Sequence, residues 1–194
     1  MENVLECLSN LSQHLDIVIL VTMVSVFIFS LNIVTISKIT KFFMFLSVIA
    51  LISLTLLVSY DVIMRKFFHG GSIALQELEW HLFDIVFLFS IAYTLSHDKH
   101  VRVDIFYDKF PTKVKAIIQI ITVLFFVVPL STLIVVEAIP FVQMSYAMHE
   151  QSGDPGGLCC RWIIKSSMIF AFLVVILQSV SELKKAYFKL KGQK

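Results

Sequence analysis

Five stretches of continuous apolar sequence constrain this chain more than any other feature. They cover residues 17–36, 42–60, 85–95, 116–136 and 162–181. Several are close to the roughly 20 residues that a helix needs to cross the hydrocarbon core of a bilayer. The apolar residues run consecutively instead of alternating. That pattern predicts helices, because a membrane strand would show a period of two. Apolar residues form 58% of the 194-residue chain and charged residues only 15%, more apolar side chain than a soluble domain of this size can bury. The predicted fold is therefore an all-α, polytopic membrane helical bundle. A formal charge of +2 argues against a nucleic-acid partner and leaves membrane lipid as the expected surroundings.

The distribution of charge predicts an orientation. If all five runs span and the tail is cytoplasmic, twelve Lys and Arg lie inside: Lys38, Lys41, Lys99, Arg102, Lys109, Lys113, Lys115, Lys184, Lys185, Lys189, Lys191 and Lys194. Four lie outside: Arg65, Lys66, Arg161 and Lys165. Cytoplasmic loops carry the positive excess, so the expected topology is N-terminus periplasmic and C-terminus cytoplasmic. No Lys or Arg precedes the first apolar run, which is also too long for a signal-peptide core, so cleavage is not expected.

The boundaries follow from turn and charge signals. Lys38 and Lys41 suggest a linker after the first run. His69-Gly70-Gly71-Ser72 breaks the chain after the second, with Ser72 placed to cap the next helix. Pro129 is expected to kink the fourth run, and Glu137 and Pro140 to end it. Gly153-Asp154-Pro155-Gly156-Gly157 is a turn signal before the last run. Trp162 suits a membrane interface, and Lys165 can extend its amine towards water.

The stretch ELEWHLFDIVFLFSIAYTLSHDKHVRVDIFY, residues 77–107, combines an apolar run with polar ends. Glu77, His81 and Asp84 are spaced by four and three, which places them on one helix face. Arg65 and Lys66, across a short loop, are the expected partners. An ion or proton site is one reading of this face. The reading preferred is a structural polar cluster of Arg65, Glu77, Glu79, His81 and Asp84, since no second acidic cluster lies deep in another run to continue a pathway. His97 and His100, with Asp98 and Asp104, raise metal binding, but further ligands are lacking and no metal is expected. Haem ligation needs histidines on facing helices, whereas His69, His97, His100 and His149 fall at ends or in loops. No cofactor is expected.

Three cysteines give no disulfide framework, and the adjacent Cys159 and Cys160 are expected to remain thiols. No nucleophile–base–orienter set and no phosphate loop appears, so the chain does not read as an enzyme. All six glycines lie outside the apolar runs. Secondary carriers commonly build midplane sites from broken helices in paired repeats. This chain therefore reads as an accessory subunit and not as a self-sufficient carrier.

The segment LQELEWHLFDIVFLFSIAYTLSHDKHVRVDIFY resembles the small membrane subunit (DctQ type) of tripartite ATP-independent periplasmic (TRAP) transporters. VSYDVIMRKFF (58–68), EQSGDPGGLCCRWIIK (150–165) and LQSVSELKK (177–185) resemble other parts of the same subunit, in order and at family-like spacing. The resemblance runs from about Phe42 to the tail. It implies four family-like transmembrane helices over 42–183, an extra N-terminal helix and linker over 1–41, and a basic cytoplasmic tail over 184–194. It implies a multi-pass protein of the bacterial inner membrane that pairs with a large membrane subunit and a periplasmic solute-binding protein in sodium-coupled import of an organic acid. It also marks Trp80, His100, Arg102, Asp104, Gly156, Gly157, Arg161, Trp162 and Lys165 as motif or partner-interface candidates. Two features depart from the family pattern, the extra run at 17–36 and a cysteine at Cys159 where proline is common. The reading from a different class is a small haem-binding redox anchor, which a visible absorption spectrum separates from the first.

Overall fold

A computed structural model describes residues 33–68, 70–97 and 110–192 of the chain. Four of its helical segments are long and apolar enough to cross a membrane by length and composition. The described residues contain no strand. The first helix, α1 (Ile33–Phe68), has 36 residues and so extends about 54 Å, well beyond the roughly 30 Å hydrocarbon core. It absorbs the end of the first apolar run, the expected linker at Lys38–Lys41 and the whole second run. The linker does not form because the segment contains neither glycine nor proline, and one face of it packs. Ile36 and Thr40 are fully buried, while Lys38 and Lys41 point outwards. The remainder of the first run lies outside the described residues.

Gly70 and Gly71 interrupt the helix, and α2 (Ile73–Ser96) returns antiparallel to α1. Ser72 occupies the N-cap position in extended conformation, but its side chain makes no capping bond. Its carbonyl accepts from the Gln76 N–H at 3.3 Å instead. Ser47 Oγ donates to the Val86 carbonyl at 3.0 Å, and Phe43 meets Phe89 edge-on at 4.9 Å. These contacts join α1 to α2.

The third span is built of α3 (Thr112–Thr122), a π-helical turn at Val123–Val127, and α4 (Val128–Ala147). Pro129 has no N–H and its ring would crowd the carbonyl four residues earlier. The π turn lies just ahead of it, and the Val128 N–H bonds to the Val123 carbonyl, five residues back. Pro140 does not end the helix, contrary to the sequence expectation. α4 continues to Ala147 with Pro140 inside it. In lipid a spanning backbone has no water to pair with, so the helix persists around a single missing bond.

The last helix, α5 (Trp162–Leu190), is the most enclosed and packs against each of the other spans. It stays helical to Leu190, so most of the basic segment from Lys184 onward extends the helix. Ala92, Leu95, Val174 and Val175 form the core, flanked by Ile39, Phe43, Ile91 and Val127. Small residues line the close contacts: Ser47 and Ala50 on α1, Ser131 and Ala138 on α4, Ser167 and Ala171 on α5. Helices in lipid associate by close packing and not by escape from water, which favours such residues. Phe42, Phe45, Ile52 and Leu56 on α1, Phe125 and Phe126 in the π turn and Leu133 on α4 remain exposed, as a lipid-facing exterior requires.

Candidate functional site

The polar features gather at two places, one at each end of the bundle. At the first, Glu77 in the opening turns of α2 reaches the loop between α4 and α5. Its carboxylate accepts from the Ser152 hydroxyl, from the Leu158 N–H at 2.6 Å and from Arg161 Nη2 at 3.1 Å. Arg161 also lies over the Trp80 ring, 5.6 Å from its centroid. Glu77 is buried, and three donors with one cation satisfy it.

The loop is ordered by its own backbone before it meets Glu77. Ser152 N–H donates to the Leu158 carbonyl at 3.0 Å, and Arg161 N–H donates to the Glu150 carbonyl at 3.2 Å. Gly157 N–H closes the turn onto the Asp154 carbonyl at 3.0 Å. Gly156 has φ +85, in the left-handed region that glycine adopts freely. Gly157 is required for a different reason. A Cβ there would lie 2.4 Å from the Ser152 side chain and 2.8 Å from Glu77 Oε2.

Lys165 forms an ion pair with Glu150, and its amine sits 4.1 Å from the centroid of Phe141. The hydrogen bond from Lys165 holds the Glu150 carboxyl below its usual range. Trp162 packs edge-on against Tyr146 at 5.4 Å, an aromatic pair at the start of α5. Cys159 and Cys160 are both exposed free thiols. Cys160 adopts φ 63, an uncommon conformation for a residue with a side chain.

The expected pairing of Arg65 with the Glu77 face is not what the structure shows. Arg65 pairs with Asp61 of its own helix at 2.5 Å. With the Gln76 amide turned so that its oxygen faces Arg65, that oxygen accepts from Nη1 at 3.0 Å. Four-residue spacing on a formed helix brings Asp61 to Arg65 directly, and the loop brings Arg161 to Glu77. Glu79 Oε1 and His81 Nε2 are buried without a partner among the described residues. The His81 ring lies 4.4 Å from that of Trp80. Asp84 is half-buried one turn deeper. His97 ends α2 against Tyr93, with ring centroids 4.1 Å apart. His100, Arg102 and Asp104 lie outside the described residues.

The second polar centre was not anticipated from the sequence. It sits near the opposite end of α5. Thr40 Oγ1 of α1 donates to Gln178 Oε1 at 2.8 Å. Gln178 Nε2 donates to Glu182 Oε1 at 2.9 Å, and Lys185 Nζ donates to the same oxygen at 2.6 Å. Gln119 of α3 donates to Glu182 Oε2 at 3.1 Å. Thr40, Gln119, Gln178 and Glu182 are all buried. The available signal was Gln178 and Glu182, four apart at the end of an apolar run, facing an isolated glutamine in another. Nothing local said that they would meet.

Among the described residues, Glu77 and Glu182, the carboxylates at the two centres, are paired across segments of the chain. Both fasten helices or a loop together. Among the described residues no group of three His, Cys, Asp or Glu is arranged to hold a metal. Comparison with curated proteins gives no match. A family model matches residues 54–188, from the middle of α1 to the end of α5, and so takes in part or all of each spanning segment. With that match over most of the chain, on a four-span bundle fastened by buried polar contacts, the chain belongs to the DctQ component family of tripartite ATP-independent periplasmic transporters.

Proposed function

We propose that this chain is the accessory, scaffolding subunit of a sodium-coupled carrier that imports an organic acid. It would work with a large membrane subunit and a periplasmic binding protein. The family match carries the reading. The form of the helices supports it. Glycines Gly70, Gly71, Gly153, Gly156, Gly157 and Gly192 all lie outside the helices. The helical irregularities among the described residues are the π turn ahead of Pro129 and Pro140 within α4, and the span stays helical through both. Carriers that bind substrate at the membrane midplane use unwound helices there. In this reading, the cluster of Glu77, Glu79, His81 and Asp84 is structural and fixes the outer loop and the head of α2. The α4–α5 loop is periplasmic, and the end of α5 is cytoplasmic.

The test is reconstitution. Proteoliposomes holding this chain alone should take up no organic acid under a sodium gradient. Proteoliposomes holding it with its large subunit and binding protein should. Asp84→Asn should lower yield of the complex while leaving uptake per assembled complex and its sodium dependence near normal. Sodium-driven uptake by the isolated chain, or loss of sodium coupling in a fully assembled Asp84→Asn complex, would contradict the reading.

A further inference from the structure

The carboxylates Asp61, Glu77 and Glu182 are buried, and each has an arginine or lysine within the chain: Arg65, Arg161 and Lys185. Glu137 does not follow this rule. It lies in the middle of α4 and is exposed, and no described residue gives it an ion pair or a hydrogen bond. The surrounding face is apolar. Leu130, Leu133, Phe141 and Met144 are all exposed, and their spacing puts them with Glu137 on one stripe of the helix. The buried stripe of α4, Ser131, Ala138 and Ser145, lies about 100° round the helix from it.

Depth makes this arrangement costly in a lone subunit. Tyr146, in contact with Trp162, marks the interfacial end of α4. Glu137 is nine residues below it, about 14 Å along the helix axis, which is close to half the thickness of a roughly 30 Å hydrocarbon core. Pro140 adds to the polarity there. It supplies no N–H, so the Val136 carbonyl loses its ordinary helical partner at the same level. Acidic side chains at such depth face protein or water and not lipid.

We propose that the Leu130–Leu133–Glu137–Phe141–Met144 stripe is the surface on which a transmembrane helix of the large subunit docks, bringing a lysine or arginine to Glu137. This rests on the accessory-subunit reading. Charge decides among the candidate occupants. A second copy packed across a two-fold axis on this stripe would set Glu137 against its own equivalent, and the stripe carries no compensating cation. Residues 1–32 contain no Lys or Arg. Lys165, the cation over the Phe141 ring of the stripe, is engaged by Glu150 and that ring. The donor therefore comes from another membrane protein, and the large subunit is the partner present at this depth.

The chain is co-expressed with its large subunit, as wild type, Glu137→Leu and Glu137→Gln, and a photo-crosslinking residue replaces Leu133 in the wild-type background. The Leu133 probe should yield an adduct with the large subunit. Glu137→Leu should reduce the co-purified large subunit about tenfold, and Glu137→Gln should do so less, since an amide still accepts a hydrogen bond. The isolated Glu137→Leu chain should be at least as stable to heat in micelles as wild type. Wild-type levels of complex with Glu137→Leu, or an adduct only with lipid or with a second copy, would overturn the docking surface and leave the accessory reading standing. So would a loss of stability in the isolated chain, which would give Glu137 an internal role. If the wild-type chain forms no complex with an intact large subunit, the accessory reading itself fails.

Discussion

At the residue scale, the clasp between Glu77 and the α4–α5 loop depends on the absence of a single carbon. Gly157 brings the loop backbone against Ser152 and Glu77 so closely that any Cβ would displace one of them. Gly157→Ala should therefore release the Leu158 N–H and Ser152 from Glu77 while leaving the bundle folded. The neighbouring thiols Cys159 and Cys160 report this directly. Their rate of modification by a maleimide should rise severalfold in Gly157→Ala and stay unchanged in Gly153→Ala, since nothing lies within 4 Å of a Cβ added at Gly153. Equal rates in both variants would show that the clasp does not order the loop. The turn itself was legible as Gly153-Asp154-Pro155-Gly156-Gly157. The residue it presents to α2 was not, because turn signals report local conformation and carry no information about what the turn rests on.

At the scale of elements, Glu182 is the common acceptor for α3 and α5, and through Gln178 it is joined to α1. Each of its two oxygens is used; Gln119 and Gln178 are buried with it, and Lys185 reaches it from a partly exposed position. Removing the acceptor takes a shared partner from Gln119, Gln178 and Lys185 together. Glu182→Ala should destabilise the bundle by about 1–3 kcal/mol, the usual cost of removing one partner from buried hydrogen bonds. Glu182→Gln, which keeps the shape and one accepting oxygen, should cost clearly less. Unfolding of the purified chain in mixed micelles measures both, and equal effects would mean that volume matters here and charge does not. α4 shows a different principle. Pro129 and Pro140 read as a kink and an end, yet the span runs through both, with a π turn before the first. In a soluble helix a proline often marks the stop. In hydrocarbon the alternative is an unpaired backbone, so the helix absorbs the defect.

At the scale of the whole molecule, the four spans place the α4–α5 loop and the far end of α5 on opposite sides of the membrane, whatever residues 1–32 do. The excess of lysine towards the end of α5 then predicts which side is which. With the native cysteines replaced, Gly153→Cys should react with an impermeant thiol reagent in intact cells whose outer membrane is opened. Gln193→Cys should react only after the inner membrane is breached. The reverse pattern would invert the orientation. The centre of the bundle also differs from what the sequence suggests. The polar-headed segment of α2 is the most conspicuous in the chain, but α5 is the element all the others pack against. Its enclosure shows in side-chain size and in buried Ser167, Ser179 and Ser181, not in any motif.

The sequence by itself determined the membrane environment, the helical class, and the approximate location of the spans. Those follow from a one-dimensional property, the length of uninterrupted apolar sequence set against bilayer thickness. It also carried the family, because the segments around Arg65, Trp80, Gly157 and Glu182 occur in order. Only the tertiary structure decided which charges meet. Arg65 turned back to Asp61, Arg161 reached Glu77, and Gln119 crossed between helices to Glu182. Those choices depend on helix rotation and loop path, to which hydropathy is blind. The same holds for Glu137. It looks like a helix terminus in the sequence, and only the rotation of α4 about its own axis turns it away from the bundle.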